Sequence, residues 1–271
     1  MRGWIILVAL LMIPVYGAET SPTQGEFHEV AYFDLTCLQE GGCQAQTPNH
    51  LVEYHASETC EPCFIVEEMF AERDDHPSDV LIIEHRPSPY DSEFVSESKI
   101  RFDQVHRIIG IPSLVIDGKG LLSGSSQAME LEQALTNHSN LNSSVLNYEL
   151  TDRNLTWEPT SGRILIIETL ADGLHNVTGI TEVNASLGII EVKAQEGLLV
   201  LIHETAGRYQ LETWSDSIAS GYEIQDGMEE EHSTIDRSVI AITVGVALVF
   251  LLIPALVMTW NIIRTPFPEE E

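Results

Sequence analysis

The chain has 271 residues, and its 42 acidic residues against 13 lysines and arginines give a formal net charge of −29. This excess of acid argues against a nucleic-acid-binding protein and against a polybasic membrane-surface protein, because both use Lys and Arg to meet phosphate groups. Hydrophobic residues make up 44% of the chain, which is too many for a disordered acidic polypeptide, so packed domains are expected.

The N-terminus has the pattern of a secretory signal peptide. Arg2 is followed by an apolar run over residues 4–15, and Gly17 and Ala18 are small residues that suit a cleavage site. The run is too short to cross about 30 Å of hydrocarbon as a helix. We therefore expect residues 1–18 to be a signal peptide and the residues after it to lie outside the cytoplasm.

Residues 19–140 are predicted to form an α/β domain, because strand-like and helix-like patterns alternate along them. Short runs of β-forming residues between turn residues predict strands, and apolar residues at helical spacing predict helices. The predicted strands are residues 29–35, 51–55, 80–84, 114–116 and 121–123, and the predicted helices are residues 61–73, 96–109 and 126–135.

Four cysteines, all in the proposed outer part, carry the chemistry. Cys60 and Cys63 form a CxxC motif shortly after a predicted strand and at the start of a predicted helix. The amides and dipole of a helix N-terminus stabilise a thiolate, and the two-residue gap lets Cys63 attack a mixed disulfide formed at Cys60. This pattern indicates thiol–disulfide exchange.

Cys37 and Cys43 bracket a Gly-Gly pair, which favours a local structural disulfide outside the cytoplasm.

At these residues the chain resembles the thioredoxin superfamily. Residues 51–56 followed by the CxxC motif look like that family's strand and redox motif. Residues 110–118, with the sequence Gly-Ile-Pro-Ser-Leu-Val-Ile-Asp-Gly, are similar to its cis-proline segment and the hairpin that follows. The resemblance covers about residues 27–136, with the two motifs in the family's order.

The resemblance implies a thioredoxin-like fold and a role for each motif residue. Cys60 is then the nucleophile, Cys63 resolves the mixed disulfide, and Ile111 and Pro112 position a substrate chain. The sequence departs from the family's pattern before and within the motif, where Thr59 replaces the usual Trp and Glu61 replaces the common Gly.

The direction of exchange and the role of the cysteines stay open at this stage. Glu58 and Glu61 oppose thiolate formation at Cys60, so the pattern does not separate a reductase from an oxidase. Three other interpretations of the cysteines remain. The CxxC pair could be a structural disulfide, it could be half of a zinc site completed by Cys37 and Cys43, or its thiolates could bind copper with nearby histidines, namely His50, His55 and His85.

Residues 141–226 have a different pattern, with short strands separated by Gly, Asp and Asn and no strong helix between them. This spacing predicts an antiparallel, all-β, sandwich-like domain without cysteines. The predicted strands are residues 145–150, 163–170, 177–187, 189–194, 198–204 and 209–214.

The C-terminal part is predicted to anchor the chain. Residues 227–237 form an acidic stalk, residues 238–260 form an uncharged stretch long enough for one transmembrane helix, and residues 261–271 form a cytoplasmic tail. Five N-x-S/T sequons on the outer side are possible glycosylation sites, namely Asn137, Asn142, Asn154, Asn176 and Asn184.

Together these patterns predict an α/β thioredoxin-like domain, then an all-β sandwich-like domain, then one C-terminal transmembrane helix. The predicted function is a membrane-tethered thiol–disulfide oxidoreductase that acts on thiols or disulfides of exported proteins. It needs a separate redox partner, because the predicted span and tail contain no cysteine. No cofactor, no metal and no nucleic acid is expected. The alternatives are a non-catalytic surface binding or adhesion protein and a copper-handling protein.

Overall fold

The computed structural model describes residues 24–224, except residues 40–42, 74–75, 142–145 and 171–173. The predicted signal peptide, acidic stalk, transmembrane helix and cytoplasmic tail lie outside the described residues. Within the described residues, no helix is both long enough and apolar enough to cross a membrane.

The described part consists mainly of strands with a few short helices. The strands are β1 (Glu26–Asp34), β2 (Cys43–Gln44), β3 (His50–His55), β4 (Val80–His85), β5 (Ser113–Ile116), β6 (Gly120–Ser123), β7 (Glu149–Thr151), β8 (Asn154–Thr156), β9 (Arg163–Thr169), β10 (Val177–Asn184), β11 (Ile189–Glu191), β12 (Leu198–Thr205) and β13 (Glu212–Thr213). The helices are α1 (Glu61–Ala71), α2 (Ser96–Ile100) with a π-helical continuation over Arg101–His106, α3 (Gly124–Ala128) and α4 (Leu131–Asn137).

These strands form three sheets. Sheet A has the order β1-β12-β9-β10 and sheet B the order β11-β8-β7-β2, and both are antiparallel. Sheet C has the order β13-β6-β5-β3-β4 and is mixed. Its inner strand β3 runs parallel to the edge strand β4 and antiparallel to the central strand β5. The candidate redox residues lie on the connections of sheet C.

Sheet A is the middle layer, because both of its faces pack into a core. Val30 of β1 packs in one core with Leu81 of sheet C, whereas its neighbour Ala31 packs in the other core with Leu150 of sheet B. Successive side chains of a strand point to opposite faces, so a strand with two covered faces is apolar along its length. This explains the continuous burial from Leu198 to Glu204 in β12.

The expected fold class is wrong. The structure is mostly β, with three sheets and few helices, and it does not show the expected thioredoxin-like α/β domain followed by a separate β-sandwich. The physical reason lies in long-range strand pairing. β1 and β2 come from the part expected to be α/β, yet they pair with β12 and β7 from the later part. The described residues belong to a single compact unit. The predicted transmembrane helix, which is also part of the expected fold class, lies outside the described residues.

Individual elements agree better with the sequence patterns than the architecture does. The helix predicted over residues 61–73 is α1, and the strand predicted over residues 80–84 is β4. The helix predicted over residues 126–135 is divided into α3 and α4. The two-residue strand β2 and the three-residue strand β8 were not predicted.

Candidate functional site

The CxxC motif lies between the end of β3 and the first turn of α1. Cys60 is the residue immediately before the helix, and Pro62 lies in the first turn, where its missing N–H costs no helical hydrogen bond. Cys60 and Cys63 form a disulfide with a Cα–Cα distance of 5.3 Å. The sulfur atoms therefore lie at the positively polarised end of an 11-residue helix, the position that stabilises a thiolate after reduction.

Tyr54 of β3 holds α1 against sheet C. Its hydroxyl donates a hydrogen bond of 3.2 Å to the carbonyl oxygen of Cys63. Its ring packs edge-on against Phe70 of α1, with the ring centroids 5.1 Å apart. Burial raises the pKa of the Tyr54 phenol above its ordinary value, so the hydroxyl remains a hydrogen-bond donor. The helix start that carries the motif is therefore fixed to an inner strand of the sheet.

Hydrogen bonds to the turn after β4 fix the link before the motif. The Ser57 hydroxyl donates to Asp91 Oδ1 at 2.7 Å, and the Glu58 amide donates to the same oxygen at 3.1 Å. The Glu58 carboxylate accepts hydrogen bonds from the hydroxyl and from the amide of Ser92, and these bonds lower its pKa. The negatively charged carboxylate of Glu58 is therefore bound to Ser92, although the residue itself lies in the link just before Cys60.

Both sulfur-bearing residues are closed off from solvent. The exposed fraction of Cys60 is 0%, and that of Cys63 is also 0%. Thiol–disulfide exchange requires an attacking sulfur to reach the sulfur of the bond that breaks. The described state is therefore a closed one, in which exchange with another protein first requires a local opening.

The segment at Ile111 and Pro112 is brought to the same site by a third residue, Glu223. The peptide bond between Ile111 and Pro112 is cis. The Ile111 amide donates to the Glu223 carbonyl at 2.9 Å, and the Glu223 amide donates to the Ile111 carbonyl at 2.7 Å. The Glu223 carboxylate also accepts a hydrogen bond of 3.3 Å from the amide of Glu61, within the CxxC motif. One residue therefore contacts both predicted parts of the site.

A buried ionic cluster lies on the other side of β3. The Arg101 guanidinium donates to both carboxylate oxygens of Glu53, from Nε at 2.6 Å and from Nη2 at 2.8 Å. It also donates from Nη1 to Glu204 of sheet A at 3.3 Å. Burial raises the pKa of Glu53, but Arg101 and His106 outweigh burial and hold it well below its usual range. The cluster therefore contains a charged carboxylate that links sheet C to sheet A through Arg101.

Three buried histidines surround Glu53. The rings of His55 and His85 stack with their centroids 4.8 Å apart, and His106 approaches His55 edge-on at 5.6 Å. His85 Nε2 and His106 Nε2 each lie 3.3 Å from a carboxylate oxygen of Glu53, whereas both ring nitrogens of His55 lack a hydrogen-bond partner among the described residues. Burial lowers the pKa of His55 well below its usual value and also lowers that of His85. These two rings are therefore neutral near pH 7.

The cluster meets the distance requirement of a metal site but not its charge requirement. One potential ligand atom from each of Glu53, His55 and His106 lies within 4.8 Å of the others. Arg101, however, already donates to both oxygens of Glu53, and its fixed positive charge opposes a divalent cation. His50, which the copper alternative included, lies elsewhere and bonds Asp117 Oδ2 at 2.8 Å. We interpret the cluster as an ion-pair network.

Cys37 and Cys43 form the second disulfide, with a Cα–Cα distance of 5.2 Å. This bond links the short 3₁₀ helix that follows β1 (Leu35–Gln39) to β2, and thus joins the end of a sheet A strand to the edge of sheet B. Each of the four cysteines is bonded to its near neighbour in sequence, so this state offers no thiolate to the zinc alternative.

Four of the five sequons lie among the described residues. Asn137, Asn154 and Asn184 are exposed, as a sugar acceptor must be. Asn176 is half-buried, and its side-chain nitrogen donates to Glu93 at 2.8 Å. Asn142 lies outside the described residues.

The sequence patterns did not identify Arg101, His106, Glu204 or Glu223 as site residues. Arg101 and His106 fall within a stretch predicted as an ordinary helix, and their burial results from packing that a single sequence does not reveal. Glu223 stands close to the predicted acidic stalk, where one more carboxylate carries no signal of its own.

Family models, curated proteins and solved structures were compared with the chain, and none of them matches it.

Proposed function

We propose that the protein is a thiol–disulfide oxidoreductase that acts through Cys60 and Cys63 on exported proteins. The observation that carries the proposal is the position of the Cys60–Cys63 disulfide at the N-terminus of α1, beside the backbone groups of Ile111. The helix end favours the Cys60 thiolate after reduction, and Cys63 lies close enough to displace a partner from Cys60.

In the reducing direction the reaction has two steps. The Cys60 thiolate attacks one sulfur of a client disulfide, which forms a mixed disulfide and releases one client thiolate. The Cys63 thiolate then attacks Cys60 Sγ, which re-forms the Cys60–Cys63 bond and releases the second client thiolate. Two electrons pass from the dithiol to the client, and the oxidising direction is the reverse. A separate dithiol or disulfide protein must return the pair to its starting state.

Ile111 supplies the means to hold a client chain. Its amide and carbonyl both form hydrogen bonds with an extended segment, as the pairing with Glu223 illustrates. Main-chain hydrogen bonds of this kind bind extended peptides with little demand on their side chains. Ile111 and Pro112 are therefore proposed to position the client, and Cys60 and Cys63 to react with it.

The predicted leader and anchor place this chemistry outside the cytoplasm. A signal peptide at residues 1–18 and one C-terminal helix at residues 238–260 would tether the described residues to the outer surface of a membrane. Exported proteins that form or exchange disulfides are the clients that this location supplies.

The proposal is tested by trapping. The Cys63→Ser variant keeps Cys60 but cannot resolve a mixed disulfide, so we expect covalent adducts through Cys60 that a reductant releases. The matched control is Cys43→Ser, which breaks the other disulfide and is expected to trap no client at Cys60. If Cys63→Ser gives no adducts and the wild-type protein does not turn over a model disulfide, the proposal is wrong.

A second candidate is a non-catalytic surface protein with a structural CxxC disulfide, and the complete burial of Cys60 and Cys63 favours it. The reduction potential of this disulfide separates the two candidates. Exchange enzymes have potentials of roughly −270 to −120 mV, whereas structural disulfides lie below about −300 mV. A potential in the first range supports the oxidoreductase, and one in the second range supports the structural disulfide.

A further inference from the structure

Residues 214–224, a segment that we name the strap, contact both parts of the redox site, the CxxC motif and Ile111. Near the CxxC motif, the strap forms the two backbone hydrogen bonds between Glu223 and Ile111, at 2.9 and 2.7 Å. The Glu223 carboxylate lies at the Glu61 amide, 3.3 Å away, at the positively polarised end of α1. The strap thus occupies the backbone groups of Ile111 that are proposed to hold a client.

Further along, the strap is held by the polar groups of α3. The Ser125 amide donates to the Gly221 carbonyl at 2.9 Å. The Ser126 hydroxyl donates to the Ser220 carbonyl at 3.1 Å, and the Gln127 side chain donates to the Ser217 carbonyl at 2.7 Å. These contacts use the carbonyl groups of the strap, so they depend on its extended course more than on its side chains.

Side chains attach the start of the strap, where Trp214 stacks on His138 and the hydroxyls of Ser215 and Ser217 donate to Glu130. The apolar side chains of its later part, which lies nearest the redox site, contribute little. Ile218 is 89% exposed, Tyr222 is 45% exposed and Ile224 is 64% exposed. Residues that bury little apolar surface gain little from the hydrophobic effect, and their hydrogen bonds can be exchanged for bonds to water. A segment of this kind opens locally without unfolding the sheets beneath it.

We propose that the strap is an internal inhibitor that occupies the client position at Ile111 and closes access to Cys60. This inference rests on the proposed function. Exchange then requires the strap to leave, and a client replaces it as an extended segment. A client with an acidic side chain at the position paired with Ile111 reproduces the contact that Glu223 makes with the Glu61 amide.

The sharpest variant for testing the strap is Gly110→Ala. A Cβ atom at Gly110 would lie 2.9 Å from the Glu223 carbonyl oxygen and 2.9 Å from Tyr222 Cδ2, and both atoms belong to the strap. Gly110 is not among the residues with a positive φ, so alanine fits its backbone. The matched control is Gly179→Ala in β10, where the added Cβ meets a single side-chain atom, of Glu168, at an ordinary 3.7 Å.

The direct measurement is the alkylation rate of Cys60 by iodoacetamide in the reduced full-length protein, followed by mass spectrometry of the Cys60 peptide. We expect Gly110→Ala to raise this rate about tenfold, since opening of the strap exposes the thiol. Gly179→Ala should alkylate at the wild-type rate. A second variant, Glu223→Pro, removes the amide that donates to the Ile111 carbonyl and should act in the same direction.

Hydrogen exchange in the wild-type protein gives a readout that needs no variant. The amides of Ile111 and Glu223 should exchange together, and faster than the amide of Val115 in β5. If these two amides exchange as slowly as Val115, or if both folded strap variants alkylate at the wild-type rate, the strap does not open as proposed and the inference is wrong.

Turnover of a model disulfide separates this inference from the proposed function. If the wild-type protein turns over the substrate but neither strap variant changes turnover or alkylation, the function stands and the inhibitor fails. If the variants raise alkylation but no protein turns over the substrate, the strap is a cover for Cys60 and the proposed function fails. Faster turnover in Glu223→Pro than in wild type supports both.

Discussion

His55 lies in the buried cluster between His85 and His106, and it faces the ion pair of Glu53 with Arg101. Burial lowers its pKa well below the usual value of a histidine, so the folded state holds the neutral ring. In the unfolded chain the same ring takes up a proton near pH 6.5. The difference makes the stability of the fold depend on pH through this residue.

The sign follows from proton binding. Below pH 6.5 the unfolded chain binds a proton at His55 that the folded state does not, so stability is complete above pH 6.5 and falls as the pH falls. We expect His55→Phe, which keeps a ring of similar size, to weaken this dependence. Between pH 6.5 and 5.0, the wild-type protein should lose about 1.5 kcal/mol more of its free energy of unfolding than the variant.

Urea denaturation at several pH values measures this difference. The control is His76→Phe, which changes an exposed histidine. Its free energy of unfolding should depend on pH in the same way as that of the wild-type protein. His85 contributes in the same direction in all three proteins, because burial lowers its pKa as well. If the free energy of unfolding falls equally with pH in the wild-type protein and in His55→Phe, His55 accepts a proton in the folded state and the prediction is wrong.

Between elements, the Arg101 guanidinium is a buried polar link from sheet C to sheet A. It bonds Glu53 of β3 and Glu204 of β12, and Glu204 keeps a second partner in Arg163 at 2.8 Å. Buried ion pairs often add little net stability, but removing one partner leaves an uncompensated charge. Loss of Arg101 would leave Glu53 without its only guanidinium among the described residues.

We therefore expect Arg101→Met to lower the free energy of unfolding by about 3–5 kcal/mol near pH 7. Lys99→Met is the matched control, because Lys99 precedes it in α2 and forms a half-exposed pair with Asp103 at 2.8 Å. That change should cost less than about 1 kcal/mol. Equal losses in urea denaturation for the two variants would contradict the role given to Arg101.

The helix that contains Arg101 illustrates what a sequence pattern can predict about an element. The apolar spacing correctly indicated a helix from Ser96, but the predicted end at residue 109 was too late. The helix changes to π geometry at Arg101 and ends at Arg107, whose φ is 55°. Arginine has no local preference for that conformation. The end is therefore set by packing of Arg101, Val105 and His106, which the sequence alone does not reveal.

The candidate site was predictable to the extent that its residues carry a local pattern. The CxxC motif and the Ile111–Pro112 segment are predicted as candidates because their spacing and their neighbours in sequence are distinctive. Glu223 pairs with Ile111 across more than 100 positions, and Glu53 meets Arg101 across 48 positions. Contacts between residues so far apart in sequence depend on how the sheets assemble, so no short sequence pattern predicts them.

In the whole molecule, sheet A combines strands from both sides of the predicted domain boundary near residue 140. β1 lies at its edge and pairs only with β12 in that sheet, over eight residue pairs. Its side chains fill both cores, with Val30 in one and Phe33 in the other. A fragment that ends at residue 140 leaves these apolar groups without their partners.

We expect the fragment 24–140 to show no cooperative urea transition, whereas the fragment 24–224 should unfold in a single one. Circular dichroism in the aromatic region is a second measurement, because fixed tertiary packing gives a signal there. A cooperative transition and a native-like aromatic signal from the shorter fragment would show that the N-terminal part folds alone.

This pairing also explains why the architecture was mispredicted although most elements were located. Periodicity over a few residues indicates that β1 and β12 are strands, and it indicates nothing about which strands are neighbours. The continuous apolar run of β12 was consistent with a strand buried on both faces, and only the order of sheet A identifies the layers that cover it.

The pairing of β1 with β12 has a consequence for biosynthesis. The two strands lie about 170 positions apart, and a ribosome that adds about 5–20 residues per second needs roughly 10–30 seconds to make the second after the first. During that interval β1 is an unpaired apolar strand, and its exposed edge favours aggregation. All four cysteines are synthesised before β12, so both disulfides can form ahead of the step that completes sheet A.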